Sequence, residues 1–114
     1  MRFYVAGKFE DKERIERLME KLRNQGHEIT HDWTKYDHSE DVYEMRCRAK
    51  DNIQGVKQAD VLIMMLIDDL QYTGTFVEMG IAIAEKKPII IIGNQRNDNI
   101  FTKLPNVVRI NELN

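Results

Sequence analysis

Seven apolar residues stand in unbroken succession from Val61 to Ile67. No polar side chain interrupts them, so a strand built from them has both faces in the core. The run is too short for a core helix and far too short to cross a bilayer, which takes about 20 apolar residues. Strands covered on both faces belong to parallel sheets flanked by helices. That requirement constrains the reading of everything on either side.

The flanking periodicities supply the other elements. Arg2–Ala6 is short and β-prone and stops at Gly7, which predicts a first strand. Asp11 to Asn24 places Ile15, Leu18, Met19 and Leu22 on one helical face. Glu13 and Arg17, four residues apart, support that helix, and Gly26 is a natural stop. His27 to Trp33 reads as the second strand. A polar loop over Asp37–Asp41, with Ser39 as N-cap, opens a second helix whose buried stripe is Val42, Met45, Ala49, Ile53 and Val56. Val61–Ile67 is the third strand, and Gly74–Lys86 the third helix, apolar almost all round. Pro88–Ile92 is the fourth strand, Gly93–Asn99 a polar loop, and Val107–Ile110 the fifth strand. This alternation predicts an α/β chain: a doubly wound, five-stranded parallel sheet of flavodoxin-like order 2-1-3-4-5, in a single domain over residues 1–114.

Composition narrows the function classes. Hydrophobic residues make up 42% and charged residues 32%, a globular balance. Lys plus Arg is 17 and Asp plus Glu is 19, for a net charge of −2, with the signs interspersed. No basic block suits nucleic acid or an anionic membrane, so neither is expected as a partner. Cys47 is the one cysteine, which forbids an internal disulfide. With no signal peptide evident, the expected location is the cytoplasm. Cys47 has no base near it in sequence and reads as a small buried hydrophobe.

His27-Glu28-Ile29-Thr30-His31 matches the H-E-x-x-H zinc pattern. That pattern works on a helix, where residues four apart share a face. On the strand expected here the two histidines stand roughly 13 Å apart, at about 3.3 Å per residue, and share no metal. Neither G-x-x-x-x-G-K-[ST] nor G-x-G-x-x-G occurs. No metal or cofactor is expected.

In an open α/β sheet, ligands bind beyond the carboxyl ends of the strands, where the winding reverses. Here that crevice lies between strands 1 and 3. Gly7, Lys8 and Phe9 stand at its mouth after strand 1, and Asp68 and Asp69 after strand 3. Gly74 and Thr75 begin the helix beside them. Within that helix Glu78 is a lone acid among apolar residues. Thr75 and Glu78 fit the [ST]-x-x-E capping box, which explains the acid structurally. The functional alternative is a carboxylate aimed into the crevice, poorly hydrated and able to attack an acetal carbon. Tyr4 on strand 1 is either a core aromatic or its hydrogen-bond partner. Asp68 and Asp69 are either solvated loop residues or groups that meet a sugar or protonate a leaving group. Trp33 suits stacking on a base or packing. Lys8 is the cation at the mouth.

Phe3-Tyr4-Val5-Ala6-Gly7, Gly55-Val56-Lys57-Gln58-Ala59-Asp60-Val61 and Gly74-Thr75-Phe76-Val77-Glu78-Met79-Gly80, followed by Lys87-Pro88-Ile89, form an ordered set. That set resembles the nucleoside 2-deoxyribosyltransferase family and its deoxynucleoside 5′-monophosphate N-glycosidase relatives. The resemblance implies an enzyme that cleaves or transfers at the N-glycosidic bond of a nucleoside or nucleotide, a small-molecule partner. It implies Glu78 as nucleophile, through a glycosyl-enzyme intermediate, and Tyr4 as its hydrogen-bond partner. It further implies a homodimer or higher homo-oligomer. The family's aspartate on the second helix falls on Asn52, beside Asp51, and an amide has no acidic proton to give. Asp51, Asn52, Asp68 and Asp69 are therefore the residues expected to handle the base or sugar, with Asp51 among the catalytic residues and Asp68 or Asp69 the alternative for the acid's role. Two rivals remain: a non-catalytic nucleotide-binding or sensing module, and an NAD-cleaving glycosidase of the TIR type.

Overall fold

The computed structural model describes residues 1–67, 72–93 and 98–111. Strand β1 is Arg2–Ala6, helix α1 Lys12–Asn24, β2 Glu28–Ile29 and α2 Val42–Gln58. Strand β3 is Val61–Leu66, α3 Thr73–Ala84, β4 Ile89–Gly93 and β5 Val107–Ile110. The sheet order is β2-β1-β3-β4-β5 with every pair parallel, as the alternation of elements predicts. Among the described residues, no helix is long and apolar enough to cross a membrane.

Strand β3 is buried at all six positions, with Leu62 opposite Tyr4 of β1 and Ile63 opposite Ile90 of β4. Each such apolar side chain contributes about 1.5–3 kcal/mol of transfer free energy. On α1 the residues Ile15, Leu18, Met19 and Leu22 are all buried, as their spacing requires. Tyr4 reaches both α2 and α3, so these two helices cover one face of the sheet. Right-handed crossovers place α1 on the other face.

Four local expectations fail. Strand β2 has only two residues, because the carboxylate of Asp32 accepts from Thr34 N at 3.0 Å and starts a 3₁₀ turn over Trp33–Lys35. The indole Nε1 of Trp33 then donates to Val5 O at 2.7 Å, folding the chain over the end of β1. Helix α2 is capped by Asp41, whose carboxylate accepts from Tyr43 N at 3.0 Å. Ser39 instead accepts from Asp41 N and donates to Glu44. The apolar stripe of α2 is not a core stripe: of its five members only Val56 is buried, and Met45 is 52% exposed. Only the C-terminal turns of this 17-residue helix lie on the sheet. The turns before them overhang it, and Met45, Ala49 and Ile53 face a cavity. Cys47, on the overhanging part, is exposed rather than buried.

Candidate active site

The period of two along β1 sends Tyr4 to the face covered by α2 and α3. Its ring is fully buried there. Gly55 makes room for it: a Cβ at that position meets Tyr4 Cδ2 at 2.8 Å. The Tyr4 hydroxyl reaches across to α3 and donates to Oε2 of Glu78. The capping box does not form. Tyr72 is the N-cap of α3 and makes no side-chain cap, Thr75 lies inside the helix, and the Glu78 carboxylate is engaged by Tyr4.

Burial disfavours charge on both partners. It pushes the Glu78 carboxyl up from 4.5 to about 7, and the hydrogen bond from Tyr4 partly offsets the rise. Burial raises Tyr4 as well, with the charge of Glu78 adding to it, so the phenol keeps its proton. The mobile proton of the pair belongs to Glu78.

Glu78 opens onto a cavity of about 570 Å³, within the usual range for small-molecule sites. Asn52, Gly7, Phe9, Trp33 and Gly74 line it with Glu78. A Cβ at Gly7 meets the terminal methyl of Ile15 at 2.4 Å, so a larger residue there needs that side chain to turn. Asn52 lines the cavity, and its Oδ1 is buried with no hydrogen-bond partner. Other expected residues stand apart. Lys8 is not in the wall, and its ammonium lies 5.0 Å above the Tyr72 ring. Thr75 is buried within α3. Asp51 is exposed on α2, where its Oδ2 lies 3.5 Å from the Tyr36 hydroxyl. Asp68 and Asp69 lie outside the described residues.

The wall also holds residues that periodicity alone does not reveal: Tyr36, Asp37 and His38 in the loop, and Arg48 on α2. Arg48 organises them. It donates to Asp37 O at 2.6 Å and to Glu44 Oε1 at 2.5 Å, and its guanidinium sits 4.5 Å from the Tyr36 ring centre. The run Tyr36-Asp37-His38-Ser39 before a helix start was the available signal. Among the described residues, no group of three or more His, Cys, Asp or Glu is placed to hold a metal ion. The two histidines of the H-E-x-x-H string go separate ways. His27 packs edge-on against Phe3, and His31 Nε2 lies 2.8 Å from the Tyr36 hydroxyl.

The family model for nucleoside 2-deoxyribosyltransferases matches residues 3–107. A CMP N-glycosidase of Clostridium botulinum, BcmB, is similar in structure with a TM-score of 0.70 and 24% identity, over 96% of this chain and 87% of that one. A 2-deoxyribosyltransferase of the psychrotolerant bacterium Bacillus psychrosaccharolyticus has a TM-score of 0.69 and 20% identity, over 88% of this chain and 77% of that one. No curated protein matches significantly in sequence. The family match spans nearly the whole chain, so the protein belongs to the nucleoside 2-deoxyribosyltransferase family.

Proposed function

We propose that the chain cleaves or exchanges the N-glycosidic bond of a nucleoside or nucleoside monophosphate, with Glu78 as nucleophile. One observation carries the reading: a half-buried carboxylate, oriented by a buried phenol, opens onto a ligand-sized cavity at the carboxyl end of β1. Ionised Glu78 attacks the anomeric carbon as the bond to the base breaks. The glycosyl ester so formed is resolved by water, which gives hydrolysis, or by a second base, which gives transfer. Tyr4 holds the attacking oxygen in one direction. Trp33 and Phe9 offer apolar surfaces to the base, and Asn52 stands in the same wall.

The test is base release from nucleosides, their 5′-monophosphates and NAD, each with and without an acceptor base. Release is expected from a nucleoside or its monophosphate, and is expected to vanish in Glu78→Ala. Ligand binding without turnover would leave a sensing module as the better account, and release from NAD alone would favour the NAD-cleaving rival.

The same reading includes a homodimer. Val77 is 65% exposed on α3, beside Met45 and Ile53 on the cavity wall. A second copy laid over this mouth buries all three and closes the site. Sedimentation equilibrium is expected to give the mass of two chains, whereas a monomer at micromolar concentration contradicts it.

A further inference from the structure

A purine or pyrimidine leaves its sugar as an anion unless it receives a proton as the bond breaks. Glu78 is occupied as the nucleophile in the function proposed above, on which this inference rests. Asn52 faces the cavity with an amide, which has no acidic proton to give. Asp37 and His38 are exposed, and His38 Nε2 lies 3.6 Å from Glu40. Tyr36 is different. It is half-buried in the cavity wall, with its hydroxyl 2.8 Å from His31 Nε2 and 3.5 Å from Asp51 Oδ2. Its ring carries the Arg48 guanidinium 4.5 Å from the ring centre.

We infer that the Tyr36 hydroxyl donates the proton to the departing base, with His31 and Arg48 as positioning residues. With a proton on His31 Nε2, the Tyr36 oxygen accepts from the imidazole, and its own hydrogen, which points to Asp51 Oδ2 over 3.5 Å in the resting site, turns to the base when substrate is bound. In the first step the bond from the anomeric carbon to Glu78 forms and the bond to the base breaks. The Tyr36 proton passes to the base nitrogen, leaving a phenolate. The guanidinium and the imidazole N–H both favour that charge. In the second step the phenolate takes a proton from the attacking water, and the hydroxide formed displaces Glu78 from the sugar. Phenol and carboxylate are thereby restored. Burial and the Asp51 carboxylate keep the proton on Tyr36 until the base needs it. Tyr36 and Glu78 line the same cavity.

The test compares bases that need a proton with bases that do not. Deoxyguanosine and deoxycytidine, with their 5′-monophosphates, require one. Their 7-methyl and 3-methyl counterparts carry a positive charge and release a neutral base unaided. In Tyr36→Phe, release from the unmethylated probes is expected to fall by about 100-fold, the usual size of a general-acid contribution. Release from the methylated probes is expected to fall less than about five-fold, which also shows that the variant is folded. Equal losses on both sets, with an unchanged thermal midpoint, would overturn the inference. So would a selective loss in Asp37→Asn or His38→Gln in place of Tyr36→Phe. Glu78→Ala separates this result from the parent reading, because it is expected to abolish release from both sets. Release that survives in Glu78→Ala would bring down the parent reading itself.

Discussion

Replacing Glu78 by glutamine is expected to cut base release by about a thousandfold or more and to make the fold more stable above neutral pH. The two effects have one cause. The carboxyl sits where burial penalises its charge, so its pKa rises to about 7. An ionised carboxylate held there is poorly hydrated and reactive, and removing a covalent nucleophile costs at least three orders of magnitude. The same burial makes the charge costly for folding. The folded-state value lies above the unfolded one, so the folded chain binds the proton more tightly. Its contribution to stability is fully present below pH 4.5 and is lost as pH rises through about 7. The loss is about 3 kcal/mol at most, at about 1.4 kcal/mol for each pH unit of displacement. Glutamine keeps an oxygen for the Tyr4 hydroxyl and never ionises. Urea unfolding of the two proteins is therefore expected to coincide near pH 4 and to diverge in favour of the Glu78→Gln variant by pH 8. Turnover of the wild type is expected to rise with pH through about 7, as the nucleophile loses its proton. A glutamine variant that is less stable at pH 8 would show that Glu78 serves the fold rather than the chemistry.

What was legible in the sequence follows physical range. The seven-residue apolar run was enough for a central parallel strand, because no other placement buries both faces. Helix α1 was equally plain, since its four core residues answer to one period. The stripe on α2 shows where periodicity stops. Met45, Ala49 and Ile53 have the spacing of a core face, yet they wall a cavity. A helix needs an apolar face for either purpose, and the pattern does not say what lies opposite. The Thr75–Glu78 pair failed for a related reason. Local spacing suggested a cap, but a tyrosine 74 residues away claims the carboxylate. The resemblance to a family supplied that pairing, where residue chemistry left two readings open. Tyr36, His31 and Arg48 went unassigned because their association depends on how a loop folds back over β1. Trp33 and Asp32 set that fold through two hydrogen bonds with no periodic signature.

Gly55→Ala is expected to damage both stability and turnover, although the residue touches no substrate. An alanine Cβ there stands 2.8 Å from His31 Cβ and 2.8–2.9 Å from two carbons of the Tyr4 ring. None of these atoms is the free end of a flexible chain. Tyr4 is fully buried, and Thr30 Oγ1 pins α2 in place by donating to Gly55 O at 2.6 Å. Either the helix moves outward and strains that bond, or the Tyr4 ring shifts. Overpacking of this kind costs about 1–3 kcal/mol. A ring displaced by even about 1 Å carries the hydroxyl away from Glu78, and misplacement on that scale costs about 100-fold in rate. Gly80→Ala is the matched comparison, because nothing lies within 4 Å of a Cβ there. It is expected to raise stability by up to about 1 kcal/mol, through helix propensity, and to leave turnover unchanged. Thermal unfolding and base release on the two variants separate the outcomes. If Gly55→Ala lowers stability but turns over normally, Tyr4 does not need its observed position, and the short path from phenol to carboxylate is packing rather than machinery.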